Sequence, residues 1–349
     1  MQAKLKFALL AALVSATCVP AAFAAPPTDF GSQATDEQVG PMESLAREAW
    51  RDNMAQIATP TEGCYHATYP SIIWEQVACT NLVPRAHSLP RKVKMGDSEN
   101  AGNGNDYVLS APALIKQTVG SFPTVTGVTS EKGVGVAAYG GGGILGPNEY
   151  SLQINSQFTS TTTACHSHSG CTVWQQFVYA PDYEVQGEAA VFMQYWLIGY
   201  GGSSCPSGWG SDGSGDCYRN SSAATAPDVP ATSLASMKLT GSATSGGNDT
   251  VTLTYGTQAY TASGKDSVVY LAKVWKQSEF NVVGNAGGSE AQFNSGSSIK
   301  VKIGASYGST TAPTCVANDG STGESNNLNL GSCTATGGSS PYVQFTESN

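Results

Sequence analysis

From Asn105 to the end of the chain, apolar and polar residues alternate with a period of two, and this alternation sets the class of fold. The segments EYSLQINSQFTS, TVWQQFVYA, AAVFMQYWLIGY, DTVTLTYGTQAYTAS, SSIKVKIGAS and PYVQFTES are rich in β-branched and aromatic residues, with Gly, Asn, Asp and Ser between them. In an extended chain, successive side chains point to opposite faces, so such segments read as strands with a face to bury. Seven or more of them with few helices predict an all-β domain over residues 105–349. The expected architecture is an antiparallel two-sheet β-sandwich of jelly-roll or lectin-like kind. TYGTQAYTAS predicts a hairpin around Gly256.

The region before residue 105 follows another rule. Residues 37–57 place Met42, Leu45, Ala46, Trp50 and Met54 at helical spacing, which predicts a short N-terminal helix with that stripe on one face. A Pro-rich and basic stretch, PRAHSLPRKVK, follows and has the composition of an exposed linker. Residues 25–104 therefore read as a prosegment-like module and linker, or as an extension wrapped on the main domain. Residues 1–24 read as a signal peptide: Lys4 and Lys6 precede an apolar run, and Ala22-x-Ala24 offers a cleavage site before Ala25. That leader predicts secretion, to the extracellular space or a periplasm.

The cysteines agree with export. Of nine, Cys18 lies in the leader; the other eight fall into four local couples, 64–79, 165–171, 205–217 and 315–333. An even number of cysteines in an exported chain predicts disulfides, here four short staples. The formal charge is −9, and losing Lys4 and Lys6 makes it about −11. Such an acidic, Lys-poor chain offers nothing to nucleic acid, and no later stretch has the length of a membrane span. The expected partner is an extracellular protein or a polysaccharide, and no cofactor is implied.

The aromatic strands carry an anomaly. Gln175, Gln176 and Gln194 lie within them, where Val or Thr would pack better. Alternation groups Val173, Gln175, Phe177 and Tyr179 on one face and Trp174, Gln176 and Val178 on the other; Gln194 shares a face with Trp196. A buried amide must be hydrogen-bonded or it costs about 1–3 kcal/mol. A face of rings and amides suits a groove for peptide or sugar, whereas edge glutamines would only meet water.

The run EYSLQINSQF, WQQFVYAP, FMQYWLIGYG, CPSGW and DCYRNS resembles, in order and spacing, part of the neprosin kind of glutamic peptidase. SEFNVVGNAGGSEAQFNSGSSIKVKI is similar to the second catalytic strand of eqolisin-type glutamic peptidases, which are sandwiches. The resemblance implies a Gln and a Glu that activate water at acid pH, the Glu as general base and the amide holding water and oxyanion. It places Gln175 on the family's glutamine. It places Gln176, Gln194 and Trp196 along the cleft. The family's catalytic Glu falls on Val283, so the base passes to Glu279 or Glu290. The implied activity is an acid endopeptidase; the alternative is a non-catalytic carbohydrate-binding or surface protein on the same sandwich.

Other motifs point elsewhere. His166 and His168 in CHSHSGC could supply two metal ligands but have no third, and a hairpin tip is the simpler reading, so no metal site is assigned. Asp212, Ser214 and Asp216 have the alternation of a calcium loop without its distal Glu. No Gly-x-Ser-x-Gly elbow supports a serine hydrolase. Carboxylates are left for acid–base work, among them Glu149, Glu184 and Glu188.

Overall fold

The computed structural model describes residues 39–82, 106–137, 141–160, 162–166, 168–183, 187–201, 204–317 and 320–349. The leader and the basic linker lie outside the described residues.

The alternating segments form two nine-stranded sheets and a smaller four-stranded one, as the period of two predicts. Pairing is antiparallel except between Ser289–Phe293 and Ser325–Asn326, which run parallel in the small sheet. In the second large sheet, the central strands are Ala190–Ile198, Thr172–Ala180, Tyr150–Ser156 and Gln277–Gly284, in that spatial order. Tyr107–Ser110 then pairs with the far side of Gln277–Gly284. The hairpin around Gly256 joins Asn248–Tyr255 to Gln258–Lys265 in the first sheet.

The core lies between the two large sheets, where apolar residues from alternate positions meet. Ile154, Phe177, Phe280 and Val282 of the second sheet join Leu239, Val251, Ile303 and Phe345 of the first in one buried cluster. Phe280 stacks obliquely on Phe122 at 5.1 Å, and a Cβ at Gly120 would lie 2.2 Å from the Phe280 ring. Gly120 thus lets the sheets approach where a large ring crosses the gap. Each of these fully buried rings or branched chains contributes about 1.5–3 kcal/mol relative to an exposed one.

All four cysteine couples expected from spacing are disulfides: 64–79, 165–171, 205–217 and 315–333. No helix among the described residues is long and apolar enough to cross a membrane.

The N-terminal helix spans Pro41–Met54. Only part of its expected apolar stripe is buried: Trp50 and Met54 pack with Tyr65, Trp74 and Ala259, while Met42 and Leu45 are exposed. The reason is geometric, because contact with the sheet is made by the second half of the helix. Arg51 donates to the Gly256 carbonyl at 2.9 Å, and Lys238 pairs with Asp52 at 2.5 Å. Gly63–Thr68 extends the first sheet by pairing with Gln258–Lys265, and Glu75–Val77 adds the edge strand. Residues 41–77 are therefore built onto the sandwich edge.

Candidate active site

The register of the second sheet draws polar residues into a row. Glu279 pairs with Asn155, Asn155 with Gln176, Gln176 with Gln194, and Gln194 with Asn220. Directly paired residues share a face, so five polar side chains from five strands stand side by side. A second row, Trp174, Trp196 and Tyr218, runs beside it, with ring centroids 6.1 and 5.2 Å apart. This is the face turned away from the core shared by the two large sheets.

Hydrogen bonds join the row. Gln176 Nε2 donates to Gln153 Oε1 at 2.9 Å and to Asn155 Oδ1 at 3.1 Å. Asn155 Nδ2 donates to Glu279 Oε2 at 3.2 Å. Farther along, Trp196 Nε1 donates to Gln194 Oε1 at 2.9 Å, and Gln194 Nε2 donates to Asn220 Oδ1 at 2.7 Å. Glu279 thus ends a chain of amides, each with a partner, as burial requires.

The row is closed to solvent from Glu279 to Gln194, and opens only at half-buried Asn220: Glu279 is 2% exposed, and Gln176, Gln194, Trp174 and Trp196 are fully buried. Gly320 and Ser321 cover the carboxylate. A Cβ at Gly320 would lie 2.5 Å from Glu279 Oε1. The Ser321 backbone N–H donates to Glu279 Oε2 at 2.7 Å, and its hydroxyl lies 3.2 Å from the same oxygen. Trp174 Nε1 donates to that hydroxyl at 2.9 Å, tying the cover to the ring row.

Electrostatics here are carboxylic throughout. Asp106 is in hydrogen-bond contact with Glu279, and Asn281 Nδ2 donates both to Asp106 Oδ1 and, at 3.2 Å, to Glu347 Oε2. Burial raises Asp106 well above the ordinary carboxyl range, with Glu279 and Glu347 adding to the shift. Burial raises Glu279 as well, against hydrogen bonds from Ser321, Asp106 and Asn155 that favour its charged form. Glu347 is pushed up to about 8 by burial. Among the described residues, no basic group is a cause of any of these shifts.

The sequence-derived residues separate. Gln176, Gln194, Trp196 and Glu279 are brought to one face. Gln175 is not: it points into the core, where its Nε2 donates to Asp249 Oδ2 at 2.9 Å across the sheet gap. Glu290 lies in the small sheet, half-exposed, and accepts from Gln292 at 3.1 Å. It has no hydrogen bond to the row among the described residues. Val283 pairs with Ser151 on the same face as Glu279, four residues along the strand.

Comparison with known proteins yields one similarity. In structure, the chain is similar to SCP-B, a member of the eqolisin family of peptidases solved with the tripeptide Ala-Ile-His. The match has 11% identity, covers 69% of this chain and 96% of that one, and has a TM-score of 0.25. No protein-family model and no curated protein matches the chain.

Three members of the site escaped the sequence reading. Asn155 was accessible to it, since Gln153 and Asn155 alternate with Leu152 and Ile154 just as the glutamines do with their neighbours. Asp106 and Ser321 were not, because they reach Glu279 only through long-range pairing and loop placement. The other motifs form local structure. His168 stacks on Tyr200 at 3.8 Å, and Asp212 Oδ1 accepts the N–H groups of Ser214 and Asp216, closing a turn. Among the described residues, no three His, Cys, Asp or Glu side chains are grouped to hold a metal ion.

Proposed function

We propose that the chain is a secreted, acid-acting hydrolase of peptide bonds with Glu279 as general base. Gln176, relayed through Asn155, positions the attacking water and the developing oxyanion. Gln194 and Trp196 line the cleft. The observation that carries this reading is the amide chain ending on a buried carboxylate, Gln176–Asn155–Glu279, on one sheet face. A carboxylate accepts the proton of water, while amide N–H groups stabilise negative charge on an oxygen. Glu290 drops out of the mechanism because its carboxylate is engaged elsewhere, and Gln176 takes the role that the resemblance gave to Gln175.

Substrate reaches Glu279 on this reading only after Gly320 and Ser321 move aside. A chain kept closed until export fits a leader peptide and four disulfides, and cutting in the linker before Asp106 is the proposed trigger. Mass spectrometry of the secreted form tests that step by its mature N-terminus. Cleavage of a denatured protein at about pH 3–5 by wild type, but not by Glu279→Gln, tests the chemistry. Equal loss in Glu290→Gln would return that residue to the mechanism.

The non-catalytic reading, a carbohydrate-binding module, draws on the ring row Trp174–Trp196–Tyr218 and on Val283 at the family's catalytic position. Glycan binding with no hydrolysis at any pH would establish it instead.

A further inference from the structure

Glu279 is not the only carboxyl group in its pocket. Its Oε2 receives the Ser321 N–H and the Asn155 amide, with the Ser321 hydroxyl, which donates to the Ser156 carbonyl at 2.9 Å, 3.2 Å away; among the described residues Oε1 receives no bond from an amide, hydroxyl or backbone group. Asp106 makes side-chain contact with this carboxylate, and Asn281 holds Asp106 from the opposite side through its Nδ2. Asp106 is 4% exposed and Glu279 2%. Two carboxylates in contact in a dry pocket cannot both be charged without a cation, and among the described residues none faces them. Among the described residues, Glu347 on the strand Tyr342–Ser348 is the other titratable neighbour and is itself acidic. The pair must therefore hold a proton.

We propose that Asp106 is the proton partner of Glu279: it keeps the proton of the pair and donates it in a hydrogen bond to the Glu279 carboxylate. The proton stays on Asp106 because Glu279 already receives two N–H donors on Oε2, from Ser321 and Asn155, and each favours its ionised form. Among the described residues, Asp106 accepts a bond from Asn281 alone, and its two acidic neighbours oppose its ionisation. Asp106 is then a positioning residue. Its O–H fills the vacant side of Glu279, holds the carboxylate in place, and opposes the rise that burial imposes on it, so that more of it is ionised and able to take a proton from water. This rests on the hydrolase reading for its consequence, but the location of the proton does not.

The test compares wild type with Asp106→Asn, Asp106→Ala and Glu279→Gln in two measurements. The first is the pH profile of kcat/KM on a denatured protein. Asparagine keeps an N–H where the aspartic acid has its O–H, so Asp106→Asn should retain the acid limb of wild type. Asp106→Ala removes the donor, and its acid limb should move up by about one to two pH units, a ~10- to ~100-fold loss at a fixed pH on that limb. Superimposable limbs for alanine, asparagine and wild type would overturn the proposal. The second measurement is carbon-13 NMR of the side-chain carboxyls, which needs no activity. At about pH 6 wild type should show a protonated Asp signal, distinct from that of the buried Asp249, that is lost in Asp106→Asn, and an ionised Glu signal that is lost in Glu279→Gln. The reverse assignment, Glu279 protonated and Asp106 ionised, would overturn it. Should the protein cleave nothing at any pH, the hydrolase reading fails while this second measurement still decides where the proton sits. Because it can be read on wild type with Asp106→Asn alone, misfolding of the alanine variant would not remove the test.

Discussion

Gln175 and Gln176 are neighbours on one strand, both fully buried, yet they serve opposite faces of the sheet. Gln175 reaches across the core to Asp249, which also contacts Asp266. Gln176 turns outward into a row of amides that ends on Glu279. Each face therefore holds a glutamine near a carboxyl, and each carboxyl is raised by burial. What differs is the surrounding architecture. On the inner face the pair is a cross-link between two sheets, packed among apolar side chains that nothing can displace without unfolding. On the outer face the cover is a short loop piece, Gly320–Ser321, outside both large sheets and held by hydrogen bonds to Glu279, Ser156 and Trp174; its displacement is part of the proposed reading. A buried amide–carboxyl pair is thus not by itself a site; on the proposed reading, a cover that lies outside the sheets makes the difference.

The strongest way to break this comparison is to remove each carboxylate in turn. Glu279→Gln should lower kcat/KM by about 10²–10⁴ with the fold retained, the usual worth of a general base. Asp249→Asn should leave kcat/KM within a few-fold, since its face is structural. A large activity loss in Asp249→Asn with unchanged melting would put the chemistry on the inner face instead.

Titration sharpens the contrast next. Glu347, in the outer cluster, and Glu131, beside Glu149, are each raised by burial from 4.5 to about 8. A carboxyl raised on folding binds its proton more tightly in the native state. The unfolded chain therefore holds fewer protons between about pH 4.5 and 8, and stability falls as pH rises through that window. These groups contribute most below pH about 4.5, and their contribution is gone above about 8. Thermal melts from pH 4 to 9 should show Tm declining, by an amount worth a few kcal/mol in all. Glu347→Gln should flatten part of the slope. An unchanged slope would mean that the outer cluster is more hydrated than its burial indicates.

These contrasts also show how much of the molecule could be read in advance. Period-two alternation was sufficient for the strands and the two-sheet sandwich, because each strand needs a buried face. It also divided the glutamines correctly, with Gln175 beside Phe177 and Gln176 beside Trp174. Which set faced the core was not legible, since Trp174, Val178 and Trp196 make the outer face nearly as apolar as the inner one. Family resemblance then favoured Gln175, where the register favours Gln176. Asp106, Glu279 and Ser321 are far apart in sequence, and no local pattern says that the strand Tyr107–Ser110 pairs with Gln277–Gly284. The helix failed in a third way. Its periodicity was real, but Met42 and Leu45 extend past the sheet they would have covered.

Two substitutions of middling size probe the cover and the cross-link. Gly320→Ala forces a Cβ to within 2.5 Å of Glu279 Oε1, so the segment must shift. The expected cost is about 1–3 kcal/mol of stability, with faster hydrolysis if lifting the cover admits substrate. Gln175→Ala should cost a similar ~1–3 kcal/mol by removing the amide donor to Asp249, but should leave hydrolysis unchanged. A gain in activity from one and no change from the other, at matched losses in Tm, would separate the two faces without touching either carboxylate.

The smallest expected effect lies at the far end of the row. Asn220 is half-buried, accepts from Gln194 and donates to the Tyr183 hydroxyl at 2.7 Å. Neighbouring strands are about 4.8 Å apart, so four steps separate it from Glu279 by roughly 19 Å, too far to touch a reacting bond. A peptide lying across the strands would nevertheless reach it. Asn220→Ala should therefore cost no more than about 1 kcal/mol of stability and leave kcat unchanged. If substrate spans the row, KM should rise a few-fold because Gln194 loses the partner that orients it. An unchanged KM would confine the working site to Gln176, Asn155 and Glu279, and would make the distal amides, like Gln175, part of the frame.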